Sequence, residues 1–148
     1  MDAQELKVLK NIDEHGCHIL HVFEEASLPR FSYSIGIQKN FNHPELIVIG
    51  LKQELAQWII NEYCLRIKSG EQFETELLYS GFLDNFEIQF KTVNKNNYEK
   101  YFGWGLWLYK GNNFDVLQLI YPSIDGIWPW ENEAPKDLMW STPQLYAN

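Results

Sequence analysis

Two neighbouring stretches, Phe31-Ser-Tyr-Ser-Ile-Gly-Ile37 and His43-Pro-Glu-Leu-Ile-Val-Ile-Gly50, decide the fold of this chain and are joined by a polar link over 38–42. In the first stretch, bulky side chains alternate with Ser and Gly, which is the period of two that a strand with one apolar face requires. The second carries a run over Glu45 to Ile49 that is apolar after its first residue, which is typical of a strand covered on both faces. The pair therefore predicts two strands near the centre of a small mixed sheet.

The same periodicities predict the elements on either side of this pair. Residues 2–14 are compatible with a short amphipathic helix or with an extended lead-in. A helical spacing of apolar residues that ends at Gly70 predicts a long helix over 51–69, and the polar break 94–97 precedes a second predicted helix over 98–109. Alternation predicts further strands over 17–24, 71–79, 86–93 and 114–121, with a turn at 81–85.

The order of these elements indicates the fold class. Strands come first, followed by a helix, more strands, a helix and a final strand, which is typical of an α+β fold. A chain of 148 residues lies in the usual range for one domain. We predict a single α+β domain over 1–148, with about six strands in a largely antiparallel mixed sheet and two main helices. A tail over 132–148, which contains Pro135 and Pro143, is expected to be irregular.

The composition excludes disorder and several classes of partner. With 45% hydrophobic and 16% aromatic residues, the chain is too apolar to remain unfolded. Twelve Lys and Arg against twenty Asp and Glu leave a net charge of −8, which repels phosphate backbones and anionic lipid headgroups. We therefore expect neither nucleic acid nor a membrane surface as a target. A protein partner would be basic, because its charge would complement this surface.

The expected compartment follows from the absence of targeting signals. No segment approaches the roughly 20 apolar residues of a membrane span. The residues from Met1 to Glu5 also lack the basic and apolar regions of a signal peptide. We expect a cytoplasmic protein, in which the two cysteines, Cys17 and Cys64, are reduced thiols.

Four motifs in order resemble those of a known family. They are Gly16 to Phe23, Phe31 to Ile37, His43 to Leu51, and Leu117 to Pro122 followed by Asp125-Gly126 and Pro129-Trp130. Together they resemble the bacterial family known as domain of unknown function 4262 over residues 12–131. The resemblance implies a shared fold unit and a candidate site, whereas the family name carries no activity.

The chain departs from that family in its closing motif. The family usually reads Trp-Pro-Asp before the closing turn, and this chain reads Tyr121-Pro122-Ser123 with an additional residue before Asp125. If the missing acid has a chemical role, Asp125 would have to replace it.

The strongest candidate for a polar site is His43-Pro44-Glu45, where an imidazole and a carboxylate bracket a rigid proline at the start of a central strand. Such groups bind polar ligands or move protons near neutral pH. They equally serve to fix a loop, with His43 bonding a carbonyl and Glu45 a neighbouring amide. On the functional interpretation, the ligand-binding candidates are Tyr33, Ser34, Gly36, His43 and Glu45.

Other constellations have weaker support. The four histidines invite a metal hypothesis, but His18 and His21 would point to opposite sheet faces, and no familiar zinc spacing is present, so we expect no metal site. Cys17 beside a histidine suggests a thiol nucleophile, although a buried strand cysteine is the commoner case. No glycine-rich phosphate-binding loop occurs. Exposed tryptophans often mark a recognition surface. The partner-binding candidates are therefore Trp104, Trp107, Trp128 and Trp130, together with the acidic residue Asp125.

Three functions from different classes remain open. The first is a non-enzymatic protein-binding module of the immunity or regulatory type, which needs no cofactor. The second is a barrel-like domain that binds a small molecule or flavin beside Tyr33 and His43. The third is a hydrolase that uses His43 and Glu45.

Overall fold

The structure of the chain is a computed structural model that describes residues 1–147. Its strands are β1 His18–Val22, β2 Phe31–Ile35, β3 Glu45–Ile49, β4 Tyr79–Leu83, β5 Phe86–Thr92 and β6 Val116–Ile120. Its helices are α1 Ala3–His15, α2 Ile37–Phe41, α3 Gln53–Lys68, α4 Tyr98–Tyr101, α5 Gly103–Tyr109 and α6 Lys136–Ser141, with a 3-10 turn at Lys95–Asn97 before α4.

The described strands form one sheet in the order β1-β2-β3-β6-β5-β4. Only β3 and β6 run parallel, and the other neighbours are antiparallel. The predicted α+β class and the largely antiparallel mixed sheet are therefore confirmed. The barrel-like alternative is wrong, because β1 and β4 lie at opposite edges of an open sheet and do not pair with each other.

Helices cover both faces of the sheet, so the central strands are buried on both sides. On one face, α3 packs over Leu46 and Val48 of β3. On the other face, α1, α4 and α5 pack over Ile47 and Ile49 of the same strand. This alternation is why β3 is a continuous apolar run, and its observed bounds are those predicted for a doubly covered strand.

The expectation of two main helices is incomplete. Residues 3–15 form α1, whose first turn is closed by a capping box between Asp2 and Glu5. The polar link contains the short helix α2, which begins after Gly36 at a φ of 106°. The helix predicted over 98–109 is divided at Phe102, which has non-helical dihedrals.

The strand predicted over 71–79 is also wrong, since β4 begins only at Tyr79. A left-handed φ of 69° at Glu76 interrupts any regular extended run. Phe73 is held instead by ring contacts with Tyr63 and Phe90. The hairpin with β5 exists, but its turn falls at 84–85 rather than over 81–85.

The C-terminal segment is more ordered than its sequence suggests. It contains α6, which begins directly after Pro135 and buries Leu138 in the core. Asn148, the last residue of the predicted tail, lies outside the described residues. Over residues 1–147, no helix has both the length and the apolar character needed to cross a membrane.

Candidate functional site

The structure gathers Ser34, Gly36 and Glu45 into one hydrogen-bonded cluster at the start of β3. The Ser34 hydroxyl donates to Oε1 of Glu45 at 2.8 Å and accepts from the backbone N–H of Leu46 at 3.0 Å. Tyr109, from α5, donates its hydroxyl to Oε2 of Glu45. Sequence reasoning missed Tyr109, because nothing local marks a partner so distant along the chain.

Backbone amides complete the coordination of this carboxylate. The N–H groups of residues 36, 37 and 38 donate to Glu45 at 2.9, 3.2 and 3.2 Å. They converge because the chain turns sharply at Gly36, whose φ of 106° is left-handed. Glu45 therefore satisfies the free amides where α2 begins, much as an N-cap side chain does.

The electrostatics of the cluster are those of a wholly buried carboxylate. Burial raises the pKa of Glu45 above its ordinary value, while the Tyr109 and Ser34 hydroxyls and the backbone amides favour the charged form and oppose that rise. Burial and the nearby carboxylate also raise the pKa of Tyr109. Both carboxylate oxygens already accept hydrogen bonds from groups of the protein. These contacts agree with the alternative in which Glu45 fixes a loop.

Among the described residues, neither Tyr33 nor His43 makes a hydrogen bond to this cluster. The Tyr33 ring packs edge-on against Phe102 at 5.2 Å, and its hydroxyl accepts from the backbone N–H of Trp104 at 3.2 Å. Burial raises the pKa of Tyr33 to about 12. His43 is half-buried, and the next residue, Pro44, accepts a hydrogen bond from the Tyr63 hydroxyl. The ligand-binding roles of these residues stay a prediction.

A large cleft lies at the carboxyl ends of the two parallel strands, β3 and β6. It has a volume of about 810 Å³. Gly50 and Leu51 follow β3, and Tyr121 to Asp125 follow β6, so both strands deliver their next residues to this cleft. The crevice at the carboxyl ends of parallel strands is where open α/β sheets commonly bind ligands.

The walls of this cleft are apolar and its rim is acidic. Ile124 is 88% exposed, and Leu55 is also exposed, so apolar surface is available to a partner. The Asp84, Asp125 and Asp137 side chains carry the negative charge of the rim. The full lining is Gly50, Leu51, Leu55, Leu83, Asp84, Phe86, Tyr121, Pro122, Ser123, Ile124, Asp125, Pro135, Asp137, Leu138 and Ser141.

The partner-binding candidates fall into three places. Asp125 lines the apolar cleft. Trp104 and Trp107 meet edge-to-face at 5.2 Å and line a shallow surface cleft beside the start of α1. Trp128 and Trp130 stack in parallel at 5.1 Å, with the Lys91 ammonium 4.8 Å from the Trp130 ring. The four tryptophans do not line the apolar cleft, and their binding roles stay a prediction.

A family model described as a domain of unknown function, DUF4262, matches residues 11–135. The chain belongs to the DUF4262 family. Comparison with curated proteins and with solved structures finds no match.

The residues that match the DUF4262 model include the sheet and most of the candidate sites. The match spans all six described strands and the cluster around Glu45. It also contains most of the cleft lining, including Tyr121 to Ser123. The wall that α6 contributes, with Asp137 and Leu138, lies beyond the matched residues.

The histidines of this DUF4262 member have separate surroundings. His18 Nδ1 lies 3.0 Å from the Asn11 amide nitrogen. His21 is held between the Ser32 hydroxyl at 2.6 Å and Oε1 of Gln57 at 2.8 Å. In the part of the chain that the structure describes, no group of three or more His, Cys, Asp and Glu side chains is arranged to hold a metal ion.

Proposed function

We propose that this DUF4262 domain is a non-enzymatic binding module, and that its apolar cleft receives apolar side chains of a basic polypeptide. The observation that carries the proposal is the cleft of about 810 Å³ at the carboxyl ends of β3 and β6. Exposed apolar patches with a polar rim mark protein-binding surfaces. An immunity or regulatory protein of a bacterial cytoplasm would use such a site.

The choice of a basic partner rests on charge. The chain carries a net charge of −8, and three aspartates stand at the rim of the cleft. Exposed charges contribute little individually, but complementary potentials accelerate association and select between partners. A partner segment that carries lysine or arginine next to leucine would match both features of the cleft. Its aliphatic side chains would pack on the apolar walls, and its positive charges would face the aspartates of the rim.

A small-molecule function is the second candidate, and it is supported by the size of the same cleft. Pockets that hold drug-sized ligands measure about 300 to 1,000 Å³, and the cleft falls within that range. The hydrolase interpretation has less support. Both oxygens of Glu45 already accept hydrogen bonds, and His43 does not donate to either of them.

Fluorescence anisotropy with designed peptides tests the proposal. The probe is a short labelled peptide in which Leu alternates with Lys, and its comparison is the same peptide with Glu in place of Lys. We expect the Lys peptide to bind and the Glu peptide not to bind. Binding should weaken at about 1 M salt, where the Debye length is only about 3 Å. Equal binding of both peptides would overturn the proposal of a basic partner.

A triple variant separates the rim from the overall charge. Asp84→Asn, Asp125→Asn and Asp137→Asn together remove the rim charges. We expect about tenfold weaker binding, since exposed ion pairs contribute about 0.5 kcal/mol each and about 1.4 kcal/mol is tenfold.

The matched control removes three exposed acids outside the cleft through Asp13→Asn, Glu74→Gln and Glu99→Gln. Both triple variants have the same net charge. If the control weakened binding as much as the rim variant does, the peptide would be responding to the overall charge of the protein and not to the cleft.

A further inference from the structure

The two cysteines of the chain lie against each other, although they come from different elements. Cys17 precedes β1, and Cys64 is on α3. Both are free thiols buried in the same apolar cluster. Among the described residues, neither cysteine donates a hydrogen bond to Glu45 or lines the apolar cleft.

The packing of α3 brings these two residues together. Lys68 lies one turn after Cys64 on the same face of the helix. Its ammonium donates to the His15 carbonyl at 2.9 Å. A Cβ built on Gly16 would lie 3.0 Å from Cε of Lys68. The face of α3 that carries Cys64 therefore packs directly against residues 15–17.

The two thiols are near enough for each to shift the pKa of the other. The hydrogen bond from the Cys17 thiol lowers the pKa of Cys64, and the nearby Lys68 ammonium lowers it further, although burial and Glu45 act in the opposite direction. The pKa of Cys17 is raised by the same hydrogen bond and by its burial. The Lys68 ammonium, one turn after Cys64 on the same face of α3, therefore favours the thiolate of Cys64.

A second, polar cleft opens onto Cys17, the cysteine that packs in the same apolar cluster as Cys64. Its volume is about 480 Å³. Cys17 is the cysteine that lines it, next to His15 and His18. The other lining residues are Asn11, Ile19, Gln57 and Asn61. An oxidant as small as hydrogen peroxide fits such an opening.

We propose that Cys17 and Cys64 form a reversible oxidation site, at which hydrogen peroxide closes an intramolecular disulfide. The Cys64 thiolate attacks one peroxide oxygen, so that an S–O bond forms, the O–O bond breaks and hydroxide leaves. The hydroxide takes up the proton that Cys64 had released and becomes water. The Cys17 sulfur then attacks Cys64, and an S–S bond forms as the S–O bond breaks. The Cys17 proton leaves with that oxygen as a second water.

The product would join an edge strand to the long helix. β1 lies at the end of the sheet and pairs only with β2 among the described strands. A covalent link from its first residues to α3 would hold this edge in place. The Cys17 sulfur, which lines the polar cleft, would no longer be a thiol but one half of a disulfide.

Mass spectrometry of the reduced wild-type protein tests this proposal without any substitution. After peroxide treatment, we expect the intact mass to fall by two hydrogens and a peptide map to contain a Cys17–Cys64 crosslink. Dithiothreitol should reverse both changes. Thiols that stay reduced under conditions that oxidise free glutathione would overturn the proposal. A covalent dimer, or oxidation of each sulfur without a crosslink, would overturn it as well.

Single substitutions assign the order of the two steps. In Cys17→Ser, the Cys64 sulfenic acid has no second thiol to attack it, so dimedone should label Cys64. In Cys64→Ser, labelling of Cys17 should be slower than labelling of Cys64 in Cys17→Ser, because burial still raises the pKa of the Cys17 thiol. Faster labelling of Cys17 than of Cys64 would show that the assigned order is wrong, while the crosslink map of the wild type still decides whether the disulfide forms.

Discussion

Tyr109 donates its hydroxyl to the Glu45 carboxylate, although the two residues lie 64 positions apart in the chain. The same hydroxyl accepts a hydrogen bond at 3.2 Å from the backbone N–H of Lys39, the third residue of α2. One phenol thus links α5 to the start of β3 and to α2. This residue therefore holds the connection between β2 and β3 against α5.

Tyr109→Phe removes that link while keeping the ring. We expect the free energy of unfolding to fall by about 1 to 2 kcal/mol, because a buried charged acceptor loses one donor. The pKa of Glu45 should rise further, since the Tyr109 hydrogen bond lowers it. Urea unfolding and a carbon-13 titration of the carboxyl group measure the two effects. Tyr101→Phe is the control, because no hydrogen bond of the Tyr101 hydroxyl is seen in the described residues, and it should change neither value.

Glu45→Gln should destabilise the fold by about 2 kcal/mol or more at neutral pH, because an amide NH₂ would face donors that now bond a carboxylate oxygen. Burial raises the pKa of Glu45 in the folded state. The folded chain therefore binds this proton more tightly than the unfolded chain does. The contribution of Glu45 to stability is greatest at low pH and declines as pH rises from the ordinary value, about 4.3, through the raised value.

Urea unfolding at a series of pH values, with wild type and Glu45→Gln measured side by side, checks this sign. The difference between the two should shrink as pH rises across that interval and then level off. Glu99→Gln, an exposed acid on α4, is the control. A difference that grows with pH over the same interval would show that the folded state lowers the pKa of Glu45.

Gly50→Ala should destabilise the protein more than Gly126→Ala. The two glycines have nearly the same left-handed φ, 82° and 83°, so the backbone cost of about 1 to 2 kcal/mol is common to both. A Cβ at Gly50 would lie 2.7 Å from the Tyr121 hydroxyl and against Ser141, whereas a Cβ at Gly126 would meet nothing within 4 Å. Thermal unfolding of the two variants measures both losses of stability, and the difference between them is the steric cost of a Cβ at Gly50. Equal losses would mean that α6 does not pack on Gly50.

Glu71→Gln should reduce stability at neutral pH and have no effect in strong acid. The Arg66 guanidinium donates two hydrogen bonds to the Glu71 carboxylate, from Nε to Oε1 at 2.9 Å and from Nη2 to Oε2 at 2.6 Å. These bonds lower the pKa of Glu71. Because that pKa is lowered, the stabilisation is present above the ordinary value, about 4.3, and is lost as pH falls through the lowered one. Acid unfolding of wild type and variant measures this loss. Glu74→Gln is the control, since no ion pair of Glu74 is seen in the described residues, and it should show no such pH dependence.

Local sequence patterns predicted correctly those elements in which the spacing of apolar residues matches the faces that are buried. β3 has the bounds expected from its apolar run, because helices cover both of its faces. α3 lies within the predicted 51–69, because its apolar spacing reflects one buried face. The alternation over 71–79 was misleading, since Phe73 is apolar in order to fill a ring cluster and not to face a sheet.

The sites depend on contacts that no local pattern contains. Glu45 is surrounded by groups from β2, α2 and α5. The apolar cleft is assembled from the ends of β3 and β6, the β4–β5 turn and α6. Asp125 was singled out within the closing motif, but its position at the rim follows only from the parallel pairing of β3 with β6.

The most direct test of the central claim is an NMR titration of methyl-labelled protein with the alternating Leu–Lys peptide. The proposed function predicts that the methyl signals of Leu51, Leu55 and Ile124 shift with the peptide and that the Leu–Glu peptide leaves them unchanged. If the Leu–Lys peptide leaves these methyls unmoved, or shifts only signals around the stacked Trp128 and Trp130, the cleft is not the binding site.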